Sequence, residues 1–306
     1  MKHRLGSRVP AALGVGVTLL ATSACDDPLS AVEAIDKTRV VGAKIEVAGD
    51  PTRAAPLPGE DVVVRFLVLA PDPEPTFAFA LTACVAADSA SDLTTCAGEP
   101  LATAASLSPV PDAPSIAFVA PADASAETRL AVLGNVCSSG AGLPSATATA
   151  CDDGSAVRAT TLDFYMDDGT HPNTNPALTS VSLDGAELAP ETALTTDCAE
   201  LPAIPAGTVK HGLNVKVDDA SRDPVERETG VDPTRESLLF SYFVSRGDVD
   251  HAFSGIESND TSSSTGALWT APASVSMPTL ARFVIVVRDG RGGSDFTERR
   301  VCIVPR

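Results

Sequence analysis

The chain has 306 residues, and its 22 Lys and Arg stand against 40 Asp and Glu, a net charge of −18. Such a surface disfavours nucleic acid and anionic membranes as electrostatic partners, because both require clustered cationic groups. Only 4 % of residues are aromatic, which argues against a carbohydrate-stacking face, while 22 Gly, 24 Pro and no long amphipathic helical pattern suggest an all-β chain of short strands and turns.

The chain opens on MKHRLGSRVPAALGVGVTLLATSAC. Lys2, Arg4 and Arg8 form a basic start, residues 11–20 are an apolar run, and Ala21, Thr22, Ser23 and Ala24 are small. This is the anatomy of a secretory signal peptide over 1–24. The apolar run falls short of the roughly 20 residues that a spanning helix needs. The closing TSAC resembles a bacterial lipobox, with Thr22 standing where leucine is usual. The resemblance implies a lipid on Cys25, which becomes the new N-terminus and a membrane anchor. Ordinary cleavage before Cys25, giving a secreted protein, is the alternative.

Cysteine parity bears on the choice. Of seven cysteines, six follow Cys25: Cys84, Cys96, Cys137, Cys151, Cys198 and Cys302. An even set in an exported chain reads as disulfides. The first 24 residues hold three basic and no acidic residues, so the remainder carries −21. Its 282 residues exceed one typical domain and suggest two.

Residues 25–38 read as a tether. The first domain is expected over 39–166. VVGAKIEVAG is its first strand, and DPTRAAPLPGE is a Pro-rich turn region. In DVVVRFLVLA, Val62, Val64, Phe66 and Val68 share one face at period two. TFAFALTAC repeats this with Phe77, Phe79 and Leu81. SIAFVAP, TRLAVLGNVC and AVRATTLDFYM complete six strands, the pattern of an immunoglobulin-like β-sandwich. Cys84 and Cys96 bracket one polar loop and Cys137 and Cys151 another, so each pair could staple its own loop. Six cysteines allow fifteen connectivities, so others stay open.

DDGTHPNTNP, residues 167–176, reads as a linker: polar, with two prolines and no periodicity. The second sandwich is expected over 177–306. In VKHGLNVKV, Val209, Leu213, Val215 and Val217 alternate with Lys210, Asn214 and Lys216. Residues 218–236 form a charged insertion and 254–266 a polar loop, and both are candidate contact surfaces for a protein partner. SLLFSYFVS is apolar on nearly both faces. The terminal hairpin places Phe283, Ile285 and Val287 inward, turns at RDGRGG and returns through Val301 and Ile303.

Trp269-Thr270-Ala271-Pro272, followed by Val287-Arg288-Asp289-Gly290-Arg291-Gly292-Gly293, resembles the end of immunoglobulin-like modules of the PKD and bacterial surface type. The resemblance covers about the last 40 residues and implies a second sandwich without implying an activity. A Cys198–Cys302 bridge would close a loop of roughly 100 residues, worth up to about 4.7 kcal/mol in the chain-entropy model.

Chemistry-bearing groups are few. His171, His211 and His251 follow the signal segment, and no serine lies in a G-x-S-x-G elbow. The expected protein is therefore not an enzyme and carries no cofactor. Asp152, Asp153, Asp167 and Asp168 are calcium candidates in Asp-Gly turns, short of the six to eight oxygens calcium needs. Asp218, Asp219, Asp223 and Asp232 lie in the insertion. The functional expectation is a cell-envelope lipoprotein whose sandwiches form a non-catalytic binding or structural module. The alternative is an exported hydrolase or calcium-binding protein with an interdomain site, in which Asp167, Asp168 and His171 meet His211 or His251.

Overall fold

The structure, a computed structural model, describes residues 32–87, 94–170, 172–190, 195–225 and 234–306. Cys25, the signal segment and His171 lie outside the described residues. The chain is an all-β sandwich fold. Its first half contains β1 (Arg39–Val47), β2 (Asp61–Leu69), β3 (Phe77–Val85), β4 (Ala102–Val110), β5 (Ser115–Val119), β6 (Arg129–Val136) and β7 (Arg158–Tyr165). These make a sheet ordered β1-β2-β5 and a sheet ordered β4-β3-β6-β7, antiparallel throughout. The period-two positions meet between them: Val62, Val64, Phe66 and Val68 pack with Phe77, Phe79 and Leu81 in one buried core.

The second half begins with β8 (Leu178–Leu183), β9 (Ala186–Glu187), β10 (Ala203–Pro205), β11 (Lys210–Val217), β12 (Pro224–Val225) and β13 (Thr234–Arg235). It continues with β14 (Leu238–Val244), β15 (Asp248–Val249), β16 (Phe253–Ile256), β17 (Ser264–Thr270), β18 (Thr279–Arg288) and β19 (Ser294–Val304). Sheets ordered β10-β19-β18-β14-β16 and β15-β17-β11-β8-β9 enclose a second core around Trp269, Phe240, Phe283 and Ile285. Trp269 is fully buried, meets Phe283 edge-on at 5.0 Å and donates from Nε1 to Arg246 O at 2.9 Å.

Several expectations change in detail. The sequence pattern suggests six strands in the first half, and the structure has seven. The additional strand, β4, is mostly Ala, Ser and Thr; its large apolar residues, Leu107 and Val110, fall outside a period-two face and Leu107 is exposed, so it shows little strand signal in sequence. Val209 is half exposed because β11 starts one residue later, although Leu213, Val215 and Val217 are buried as their alternation requires. The polar loop 254–266 is partly strand, since β16 runs to Ile256 and β17 starts at Ser264.

The two cores are joined by a third. Val41, Leu67 and Leu69 from β1 and β2 pack on Phe243, Val284, Val286 and Phe296 from β14, β18 and β19. The four sheets thus stack as successive layers, and β18 is buried on both faces. That double burial is why ARFVIVV reads as a continuous apolar run.

Polar groups bind the same interface. Arg282 donates from Nη1 to Ala70 O (2.8 Å) and Asp72 O (2.9 Å), while Glu298 clamps its other edge. Lys44 pairs with Asp295 at 2.8 Å, and Ser294 Oγ donates to Ala43 O.

Segment 167–176 is stitched to both halves. Ala54 N donates to Asn173 O (2.7 Å) and Asn175 N to Thr52 O (2.6 Å). Asn175 Nδ2 donates to Ile45 O (2.6 Å), while its Oδ1 accepts from Ser294 N (3.0 Å). Asn173 and Asn175 are buried because these bonds replace water.

Candidate functional site

Three disulfides are present: Cys84–Cys96, Cys137–Cys151 and Cys198–Cys302. The first two cover the outer face of the β4-β3-β6-β7 sheet with small apolar clusters, one around Ala78, Ala80 and Leu143, the other around Ala131. Such bridges belong to an oxidising, extracytoplasmic compartment. Among the described residues no helix is long and apolar enough to cross a membrane.

The four aspartates singled out in sequence shape turns. Asp152 Oδ1 accepts from Gly142 N at 2.9 Å, and Asp153 Oδ1 from Ser155 N at 2.9 Å. Asp167 is buried: Oδ1 accepts from Gly169 N (2.7 Å) and Oδ2 lies 3.4 Å from Arg53 Nη2. Asp168 Oδ1 accepts from Thr170 N at 2.7 Å. The pairs 152–153 and 167–168 thus serve separate loops.

The described histidines have other partners. His211 Nδ1 lies 2.7 Å from Asp184 Oδ2, and its hydrogen bond holds the Asp184 carboxyl below the ordinary carboxylate value. His251 is beside Asp250 (2.8 Å) and Gly266 O (3.0 Å). Neither partner is Asp167 or Asp168.

The most unusual polar group set lies elsewhere, where segment 167–176 enters the second half. Arg222 is the organising cation. Its guanidinium is fully buried and donates to four backbone carbonyls: Glu236 O (3.1 Å from Nη2), Glu257 O (2.9 Å), Asp260 O (3.0 Å) and Ser262 O (3.3 Å). It therefore ties the 218–236 insertion to the 254–266 loop. The arginine exchanges solvent for the carbonyls of both, while residues 226–233 of the insertion lie outside the described residues.

Next to Arg222, Asp223 Oδ2 accepts from Thr174 N at 2.6 Å, and Asp223 O accepts from Glu236 N at 3.0 Å. Glu236 is 2 % exposed, and its Oε1 lies 2.7 Å from Arg291 Nη1. Asp289 begins the Asp-Gly turn: its Oδ1 accepts from Arg291 N (2.7 Å) and Gly293 N (3.0 Å). Asn173 Nδ2 donates to Arg291 O at 3.3 Å. Arg291 thus connects Asn173, Glu236 and Asp289, and Thr174 connects Asn173 to Asp223.

The electrostatics are tense. Burial, then repulsion from Asp289, pushes Glu236 up to about 7 despite Arg291. Burial likewise pushes Asp289 up to about 6, against the backbone N–H groups of Arg291 and Gly293. Asp223 adds like charge to both. Beside this cluster a pocket of about 420 Å³ opens, lined in part by Tyr165, Asp167, Asp168, Asn173 and Arg291. Among the described residues no three His, Cys, Asp or Glu side chains form a metal-holding group by themselves. Any ion here would draw on amide and backbone oxygens as well.

Sequence reasoning named Asp223 only as part of an acidic insertion and did not single out Glu236, Asp289 or Asn173 as ligands. The available signal was the V-x-D-x-x-G-G turn, which fixes Asp289. Nothing in the linear order brings residues 173, 223, 236 and 289 together.

No family model matches the chain, and no curated protein matches it. Among solved structures, dimeric latent PorU from Porphyromonas gingivalis is similar at 13 % identity with a TM-score of 0.24. The similarity covers 86 % of this chain and 24 % of that one, so the chain spans about a quarter of that protein's length. At that identity and score the likeness bears on neither activity nor ligand.

Proposed function

We propose that the chain is a non-catalytic, lipid-anchored module of the bacterial cell envelope, with two immunoglobulin-like sandwiches presented to a protein partner. The observation that carries this reading is cysteine use. Six of the seven cysteines are consumed in three bridges within the chain, which leaves Cys25, at the end of the signal-like segment, as the odd one. An unpaired thiol is reactive in an oxidising space, whereas thioether linkage to diacylglycerol removes it.

The rest of the molecule supports the role. The stacked sheets form a stiff body, and its loops are the surfaces that vary without disturbing the cores. Arg222 ties Glu236, at the end of the 218–236 insertion, to Glu257, Asp260 and Ser262 of the 254–266 loop. The net negative charge favours a protein partner over nucleic acid.

Intact mass of the protein from its native membrane fraction, with thiols alkylated before reduction, tests the reading. The expected result is a chain starting at Cys25 with a diacylglyceryl or triacyl increment and no alkylated thiol. An unmodified N-terminus in the culture medium would replace the anchor with secretion. Alkylated thiols would remove the disulfide argument.

A further inference from the structure

A buried acceptor without a donor is costly, about 1–3 kcal/mol for a neutral group and more for a charged one, so native proteins rarely keep one without a reason. The cluster beside segment 167–176 keeps three. Asn173 Oδ1, Glu236 Oε2 and Asp289 Oδ2 are each sealed from solvent without a hydrogen-bond partner. Their residues are 3 %, 2 % and 7 % exposed. All three atoms are oxygens, and ionised carboxylates only accept. What these three atoms lack is a donor.

The neighbouring hydrogen bonds end on the other oxygens of these groups. Arg291 reaches Glu236 through Oε1, and the Arg291 and Gly293 N–H groups reach Asp289 through Oδ1. Arg222 is spent on carbonyls. Asn173 has its amide oriented by the bond from Nδ2 to Arg291 O.

A fourth oxygen borders the same space. A Cβ added at Gly293 would collide with Asp289 Oδ2 and lie 3.1 Å from Thr174 O. The missing side chain at Gly293 is what lets the Asp289 carboxylate sit there, with Thr174 O on the same side of the turn.

We propose that this cluster binds a divalent cation, calcium by its donor chemistry, through Glu236 Oε2, Asp289 Oδ2, Asn173 Oδ1 and the Thr174 carbonyl. Calcium takes six to eight oxygens from carboxylates, amides, backbone carbonyls and water in loose geometry. Magnesium demands a tighter octahedron and keeps its waters, and zinc prefers nitrogen and sulfur. Half of the donor set is neutral, in keeping with the absence of a three-carboxylate group. Asp223 acts one layer out: its bond to Thr174 N orients the peptides that carry the neutral donors. Asn173 and Arg291 also line the adjoining open pocket, which supplies a path from solvent. The ion would join segment 167–176 to β13, through Glu236 next to it, and to the Asp289 turn.

The test uses the full mature protein, stripped with chelator and titrated near neutral pH with calcium chloride or magnesium chloride by calorimetry and thermal unfolding. One calcium site is expected, with Kd in the range of about 10⁻⁴–10⁻³ M typical of extracellular modules. Calcium should raise the melting temperature, and magnesium should bind at least about tenfold more weakly. Glu236→Gln and Asp289→Asn should each weaken calcium about tenfold or more, and Asp153→Asn, in an exposed turn, should leave it unchanged. The wild-type titration decides the matter even where a variant fails to fold. No heat and no melting shift at about 10 mM calcium would overturn the proposal. So would calcium binding that survives both substitutions, or a Glu236→Gln protein that is stabilised while calcium has no effect, which would identify a proton as the occupant.

Discussion

Arg222 shows how much one side chain can hold. A buried cation whose only carboxylate partner among the described residues, Asp219, stands 3.8 Å away is tolerable because carbonyl dipoles converge on it, and here four do. Arg222→Met keeps the aliphatic stem and strands those carbonyls. Equilibrium unfolding in urea should show a loss of about 3 kcal/mol or more. Glu236 and Asp289 make the opposite kind of residue-scale statement. Their folded values, about 7 and about 6, lie above their ordinary values of 4.5 and 3.8. The folded state therefore binds extra protons between the ordinary and the raised values. Their contribution to stability is complete below about pH 4 and is lost as pH rises through about 6 and 7. In chelator, the melting temperature of the wild type should fall by several degrees from pH 5 to pH 8, and Glu236→Gln should flatten most of that slope. A slope unchanged by the substitution would locate the titration elsewhere.

Among the elements, β18 carries the most burden. It supplies Phe283, Ile285 and Val287 to one core and Val284 and Val286 to the core between the halves. Its neighbour β14 does the same, with Phe240 and Tyr242 on one face and Phe243 on the other. Removing Phe243 empties part of the middle layer without touching either outer core. Phe243→Ala should cost roughly 3 kcal/mol. If the layers unfold as a unit, calorimetry will show one transition moved down; separate transitions would show that the middle core couples the halves weakly. The terminal hairpin was legible in sequence on its inward face alone. Period two identified Phe283, Ile285 and Val287, but the intervening valines had no visible destination, because the surface they cover is made by β1 and β2, more than two hundred residues earlier. Strand β4 was illegible for the converse reason: an edge strand made mostly of small residues, with Leu107 turned to solvent, has little apolar signal to display.

For the whole molecule, the three disulfides differ in leverage. Cys84–Cys96 and Cys137–Cys151 close short loops of sequence separation 12 and 14, while Cys198–Cys302 spans 104. In the chain-entropy model the short bridges are worth about 3 kcal/mol and the long one up to about 4.7. The double variant Cys198→Ser/Cys302→Ser should therefore lose more stability in guanidinium than Cys84→Ser/Cys96→Ser. Equal losses would mean that the β10–β19 pairing, which places residues 203–205 beside 302–304, already confines the long loop.

The sequence by itself determined the all-β class and most strand faces, because period two and turn residues are local patterns. It also determined the Asp289 turn, since Asp-x-x-Gly-Gly specifies its own backbone. Only the tertiary structure decided that the four sheets form one stack, that Asn173 and Asn175 are buried by bonds to both halves, and that Asn173, Asp223, Glu236 and Asp289 are linked in one cluster through Thr174 and Arg291. These outcomes depend on which surfaces meet. A polar asparagine in a linker looks solvated until a partner backbone takes its hydrogen bonds, and a carboxylate looks ordinary until burial beside another one changes its charge.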